Sequence, residues 1–409
     1  MSDDQMSLRD SGDTCPFEFY DAVRSKGDLV WDEGLGAWIA PAYSVTRQVY
    51  IAEDLFVRAS PAEVSGERYV RILGPGHTAS LAGKERAGLR KWWLSLFKAS
   101  TLQEWRETIA PDVVESVIDS FAPAGRVEIA SQYADPLAIR MIAAILGLPW
   151  RDDGWMRELQ RPLDTLEEYR GAIHLTPNLS TSDRALAATY QVDEILGPFI
   201  AQARAGAASP IMNRIWADEQ FLRWDEDARL GLLRTFFGAG RDSTRTSLVN
   251  SFYLIFNTRG LSERLRTGGP AVIATFVEES LRLWGTTQFR TRIAAEDTEL
   301  VGVPVARGQR VVAMNSAANR DPKHFSCPAE IDFDRPNPRQ HLAFGVGAGA
   351  CVGSSFARFE LTEGITRLLA RLPDIRPDAQ AKPPQPHGLM FRMMSPVHAC
   401  FTPERQEAL

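Results

Sequence analysis

The segment His341-Leu-Ala-Phe344-Gly345-Val-Gly347-Ala-Gly349-Ala-Cys351-Val-Gly353-Ser-Ser-Phe-Ala357-Arg358 decides the reading of this chain. It sets one cysteine at the exit of a glycine-rich loop, directly before a run with helical character. Peptide N–H groups and the positive end of that helix favour a thiolate over a thiol there. The glycines supply unusual dihedrals and let the backbone approach a flat ligand closely. A thiolate presented in this way suits ligation of haem iron from one side. A buried cysteine is by default an inert thiol, and Cys351 differs only through its surroundings.

The rest of the chain is ordinary for a globular protein. Its 409 residues, 44% hydrophobic and 24% charged, can bury a large core. No Gly/Ser-rich or charge-rich linker divides them, so one domain spanning 1–409 is expected. A net charge of −6 offers no broad basic excess to displace counterions from phosphates, which argues against nucleic acid as a partner. No run approaches the length of a membrane span, and the polar, acidic start is unlike a secretory signal. A cytoplasmic protein without a membrane anchor is expected. Cys15, Cys327, Cys351 and Cys400 show no C-x-x-C spacing, so neither a structural zinc site nor a disulfide framework is indicated.

Helical periodicity dominates. Apolar residues recur at three and four positions in Pro111–Phe121, Ala185–Leu196 and Leu361–Leu372, the last stopped by Pro373. Short extended pieces stand at Gly36–Ala40, Thr298–Pro304 and Gln309–Met314. The longest candidate helix starts near Asp225-Glu226-Asp227, whose carboxylates suit a helix N-terminus, and runs to about Phe256. It is apolar on several faces and so should cross the core. Gly238-Ala239-Gly240-Arg241-Asp242-Ser243-Thr244 interrupts it. Each glycine there costs about 1 kcal/mol against alanine, which either close helix packing or a functional notch must offset.

The cysteine segment resembles the haem-binding signature of the cytochrome P450 family, Phe-Gly-x-Gly-x-His-x-Cys-x-Gly, at Phe344, Gly345, Gly347, Cys351 and Gly353, and departs from it at Gly349. The central notch resembles the family's Ala/Gly-Gly-x-Asp/Glu-Thr-Thr at Ala239, Gly240, Asp242 and Thr244, with Ser243 where the first threonine usually stands. Glu279-Ser-Leu-Arg282 matches the family's Glu-x-x-Arg, and residues three apart share a helix face. Its third partner, often Arg or His, would correspond to Glu330. Three ordered motifs are far more specific than any one of them.

The resemblance implies a mostly α fold with small β-sheets and a long helix crossing a buried haem b. It implies a monooxygenase that inserts one atom of dioxygen into a small apolar substrate by hydroxylation or oxidative dealkylation. Cys351 would ligate the iron; Asp242, Ser243 and Thr244 would handle protons. Serine keeps the hydroxyl but loses threonine's restricted rotamer. Arg86, Arg90 and Arg292 would meet the haem propionates, and Phe344, Gly345, Gly347, Ala239 and Gly240 would also face the cofactor. Phe236, Phe237, Thr286, Phe289 and Phe391 are candidate pocket walls, Tyr69–Ile72 a candidate lid, and Arg290 or Arg392 a candidate partner for a carboxylate on the substrate. Electrons would come from a separate ferredoxin or flavodoxin with its reductase, steered by Arg90, Lys91, Lys98 and Arg106. A peroxide-driven or rearranging haem-thiolate enzyme and a non-catalytic haem sensor stay open as alternatives.

Overall fold

The computed structural model describes residues 7–8, 15–58, 70–72, 74, 77–78, 81–172 and 179–404. Helices dominate: α1 (Pro16–Lys26), α2 (Tyr43–Ile51), α3 (Gly83–Leu96), α4 (Ala99–Thr108), α5 (Ala110–Asp119), α6 (Asp135–Ile145), α7 (Asp153–Ala172), α8 (Leu179–Arg204), α9 (Pro210–Ala217), α10 (Glu226–Asn257), α11 (Leu261–Leu283), α12 (Asn315–Ala318) and α13 (Ser354–Arg371). The strands are short: β1 (Val30–Asp32), β2 (Ala37–Ala40), β3 (Phe56–Val57), β4 (Arg126–Glu128), β5 (Arg290–Ala294), β6 (Thr298–Leu300), β7 (Val303–Val305), β8 (Arg310–Ala313), β9 (Arg376–Pro377), β10 (Gln385–His387), β11 (Met393–Ser395) and β12 (His398–Cys400). The expected mostly helical fold with small sheets is what forms. Among the described residues no helix is long and apolar enough to cross a membrane.

Helix α10 starts where the acidic cluster predicts. Asp225 caps it by accepting a hydrogen bond from the Ala228 N–H at 2.9 Å, with Glu226 and Asp227 in the first turn facing the helix's positive end. Leu232, Phe237, Leu248 and Phe252 are fully buried along it, so it runs through the core with apolar contacts on several sides. It packs against α6, α11 and α13. A Cβ built on Gly240 would stand 3.0 Å from Ile142 Cδ1 of α6. That glycine therefore serves close helix approach, one of the two explanations its cost required.

Arg241 secures the same contact electrostatically. Its side chain is buried, pairs with both carboxylate oxygens of Asp135 on α6 at 2.7 and 2.9 Å, and reaches Asp164 of α7 at 2.6 Å. A bidentate pair of this kind fixes orientation as well as distance. Helix α11 bends at Gly269 (φ 76°, ψ −176°) before Pro270, which lacks the N–H that a continuous helix would use. The main sheet has the order β1-β2-β8-β5-β3. On β5, Arg290 pairs across to Ala313 and Arg292 to Val311. Being two apart, the two arginines face the same side of the sheet.

Replacing Arg241 with methionine should lower the unfolding free energy by about 3–5 kcal/mol, because Asp135 keeps its charge in a buried position without its partner. Urea denaturation of the variant checks this, and adding Asp135→Asn in the same chain should recover part of the loss.

Candidate active site: the cysteine loop and the central helix

The cysteine loop is built from its own backbone and held at both ends by side chains. Gly345 (φ 65°) and Gly347 (φ 79°) take left-handed conformations that other residues adopt only at a cost. The Cys351 N–H donates to Phe344 O at 2.9 Å, the Gly345 N–H to Leu342 O at 2.9 Å, and the Ala350 N–H to Gly347 O at 3.1 Å. Arg90 on α3 donates to Ala350 O at 2.6 Å. Arg358, in the first turns of α13, lies over the Phe344 ring with its guanidinium carbon 4.6 Å from the centroid.

The loop's outer anchor is Glu278, which accepts from Arg358 at 2.7 and 2.9 Å and contacts His341 Nε2 at 3.0 Å. Burial alone would oppose its ionisation, but the hydrogen bonds and charge from His341 and Arg358 hold it at about 2. His341 is pushed below its ordinary value by burial, with Glu278 opposing, so at neutral pH the ring is a neutral N–H donor and Arg358 carries the cationic share. Cys351 shows the opposite balance from the one its loop suggests. Burial raises the thiol above its ordinary value, while the Gly353 N–H and the cations Arg290, Arg90 and Arg358 act against that rise without overcoming it. A metal ion at the sulfur would act in the opposite direction, since it deprotonates a coordinating thiol.

Glu279 and Arg282 form the expected pair at 2.8 Å, both fully buried. The third partner is Arg335, whose Nε donates to Glu279 at 2.9 Å, and not Glu330. Glu330 supplies only its backbone carbonyl, which accepts from Arg282 at 2.7 Å. The Asp332 N–H adds a further donor to Glu279. Burial acts against the charged form of Glu279, but these donors hold it below its usual range. The ion network thus places the segment that leads into the cysteine loop.

On α10 the sequence motif divides around the helix, since consecutive residues are ~100° apart. Ala239 is exposed although it lies mid-helix, and Ser243, one turn on, is partly exposed. The two form an accessible strip of small side chains. Ser243 Oγ donates back to Ala239 O at 2.7 Å. Thr244 points elsewhere: it is buried and donates to Glu360 Oε2 of α13 at 2.8 Å, a carboxyl that burial raises well above its ordinary value. Thr244 is thus an interior tie between helices and no part of the accessible strip. Asp242 hydrogen-bonds Glu167 of α7, whose carboxyl is raised to about 7 by burial and by the neighbouring Asp242.

The candidate walls separate in the same manner. Phe237 is fully buried, and Phe236 is buried in an aromatic group with its ring 4.3 Å from Trp93. Phe289 lies in a different core cluster with Tyr20 and Met314. Thr286 is buried against Ser247 at 2.8 Å. The three phenylalanines pack into apolar clusters, whereas Thr286 also donates to Ser243 O at 3.2 Å, beside the accessible strip. Phe391 alone of the five is partly accessible, bridged to Thr287 and lying under Arg290 at 5.3 Å. Arg392 is buried and donates to Gly388 O. Tyr69 lies outside the described residues, and Ile72 is buried in the main core.

The residues present fit a haem. Arg86 and Arg292 each hold a buried guanidinium nitrogen, Nη2 and Nε respectively, with no hydrogen-bond partner among the described residues. A buried donor left unmade is costly, and carboxylate oxygens of a ligand would satisfy both. Arg58, which sequence reasoning missed, joins them. Among the described residues Glu53 is the carboxylate that balances this group, 3.6 Å from Arg58 and 3.3 Å from Arg86. Glu278, Arg335 and Glu167 were also missed, although Glu278 is the immediate neighbour of a motif residue.

Glu278 should make its contribution visible in acid. A carboxyl held at about 2 instead of 4.5 stabilises the fold fully above pH ~4.5, and that stability is lost as pH falls toward ~2. The melting temperature of the wild type should therefore fall over this window more steeply than that of Glu278→Gln, measured by thermal denaturation at stepped pH.

The comparisons with known proteins agree with this geometry. The family model "Cytochrome P450" matches residues 225–399. The chain is 31% identical over 351 residues to nocardicin C N-oxygenase of Nocardia uniformis subsp. tsuyamanensis, covering 84% of each chain. It is 30% identical over 348 residues to mycinamicin IV hydroxylase/epoxidase of Micromonospora griseorubida, again 84% of each. In fold it is similar to the crystal structure of P450BioI in complex with a hexadec-9Z-enoic acid ligated acyl carrier protein, with a TM-score of 0.83 at 24% identity over 95% of this chain and 98% of that one. The cysteine loop, the anchored ion network and these likenesses together make the chain a member of the cytochrome P450 family, a haem b-binding monooxygenase and so an oxidoreductase.

Proposed function

We propose that residues 1–409 form one cytoplasmic haem-thiolate monooxygenase domain in which Cys351 would ligate the haem iron, acting on a small, mainly apolar organic substrate by hydroxylation or oxidative dealkylation. The observation that carries this reading is the Cys351 loop: a sulfur faced by the Gly353 N–H, beside a group of arginines whose buried donors await an anion. Bound haem supplies the activation of dioxygen and the oxidation itself. The protein's part is to hold, orient and deliver protons. Arg86, Arg90 and Arg292 would hold the propionates, and Phe344, Gly345 and Gly347 would shape the loop that receives the ring. Ala239 and Ser243 on α10, with Phe391, supply an accessible surface with little polarity for substrate. Gly240 contributes indirectly by seating α10 on α6.

Proton delivery falls to Asp242 and Ser243. Asp242 shares a hydrogen bond with Glu167, and Glu167 also ion-pairs with Arg245 and lies 4.0 Å from Arg241. Arg241 is itself held by Asp135 and Asp164, and Arg245 lies 4.0 Å from Asp135. Two carboxyls in contact cannot both ionise readily, so the pair holds one proton near neutral pH, on the helix that presents the Ser243 hydroxyl. This supports a turnover enzyme above a passive haem sensor.

Separate redox proteins would deliver the electrons. Of the four basic residues expected to steer a ferredoxin or flavodoxin, Lys91 and Lys98 are exposed. Arg90 is turned inward to Ala350 O, and Arg106 pairs with Glu363 at 2.7 Å.

The first test is the carbon monoxide difference spectrum of the reduced, haem-loaded protein: a strongly red-shifted Soret band is expected, and Cys351→Ala should abolish it. Its absence from folded, haem-loaded wild type would overturn the reading. For the proton pair, product formed per electron consumed should fall as pH rises through ~7, where Glu167 ionises beside Asp242, and the profile should flatten in Glu167→Gln. A wild-type profile without that inflection would remove Glu167 from proton delivery.

A further inference from the structure

Gly349 stands where the cysteine loop of the family usually carries a histidine or arginine, and the reason for glycine here is spatial. Its backbone does not need glycine, since its φ lies outside the left-handed region that defines Gly345 and Gly347. A Cβ built on it would stand 2.0 Å from Glu53 Oε1 and 2.2 Å from Arg58 Nη2. A side chain there would have to push aside both charged ends, which come from outside the loop. Glu53 and Arg58 thus occupy the volume a side chain at 349 would take.

Arg58 follows β3 and donates from Nη2 to Gly349 O at 3.2 Å. It stands with Arg86, Arg90 and Arg292 around one carboxylate, that of Glu53. The neighbouring charges of Arg86, Arg292 and Arg90 repel Arg58, while Glu53 offsets them. Arginines brought together against their mutual repulsion mark an anion site whose occupant carries more than one negative charge. The two propionates of haem have that chemistry.

We infer that Arg58 is a haem-carboxylate residue that takes over the position vacated at Gly349, with Glu53 orienting it. The loop has given up its own cation, and the segment after β3 supplies one in its place. The inference rests on the haem-thiolate reading. It goes beyond that reading by naming a positioning residue and a reciprocal dependence: a side chain at 349 and the guanidinium of Arg58 compete for one volume.

The experiment measures transfer of haem from the holoprotein to excess apomyoglobin, alongside the carbon monoxide spectrum and urea unfolding of each apoprotein. Arg58→Gln should release haem about tenfold faster, the scale of one charge-assisted hydrogen bond, and Arg58→Lys should recover part of that loss. Gly349→Ala, which keeps every charge but displaces the guanidinium, should also release haem faster; it carries the test if Arg58→Gln fails to fold. The double variant Arg58→Ser with Gly349→His should retain haem better than Arg58→Ser alone. Equal release from wild type, Arg58→Gln and Gly349→Ala would overturn the assignment, as would a double variant no better than its parent. In either event an intact thiolate spectrum leaves the haem-thiolate reading standing, whereas its loss from wild type strikes that reading and not Arg58 alone.

Discussion

Two adjacent buried carboxylates on α11, Glu278 and Glu279, hold the parts of this protein that carry chemistry. Neighbouring residues on a helix point ~100° apart, so the two reach different segments. Glu279 binds Arg282 and Arg335 and accepts the Asp332 N–H, which fixes the chain leading to the cysteine loop. Glu278 binds His341 and Arg358, the two ends of the quoted segment. The loop between them is thereby clamped to α11 from both sides. Buried charges of this kind are poor sources of net stability compared with apolar packing, but breaking one is expensive. What they provide here is a defined position for one sulfur.

The central helix shows a comparable division of roles. Arg241 faces α6 and α7 in a buried ion network, Asp242 meets Glu167, Ser243 lies on the accessible strip with Ala239, and Thr244 ties to Glu360 on α13. Of these four consecutive polar side chains, Arg241 and Asp242 meet α7, Thr244 meets α13, and Ser243 bonds back to its own helix. Arg241 and Thr244 brace the helix against its neighbours. The rigidity of the braced pair keeps the other two at a constant height along the helix axis, and rigid support of this sort is what a reactive site needs.

The cationic end of the site is organised by repulsion as much as by attraction. Arg58, Arg86, Arg90 and Arg292 come from the segment after β3, from α3 and from β5, and one carboxylate, Glu53, stands among them. Their buried donors and mutual charge favour an anionic occupant, so the folded chain is predisposed to its cofactor through unmet electrostatics. The sulfur contributes in the same sense: its thiol lies above its ordinary value, and a coordinated metal ion would act against that.

What the sequence by itself determined was local and contiguous. The Cys351 loop, the limits of α10, the Glu279–Arg282 pair and the mostly helical fold follow from glycine placement, capping carboxylates and spacing within a few residues. What only the tertiary structure decided was direction and partnership. Phe237 and Phe289 have the composition of pocket walls and are core; Thr244 has the motif of a proton donor and is a strut; Glu330 has the position of the third ion partner and yields that place to Arg335. Arg58 meets Gly349 across 291 positions of sequence, and no local pattern encodes such a contact. The physical reason is common to all of these cases: periodicity states that a side chain is buried, while the identity of what it is buried against depends on how distant helices pack.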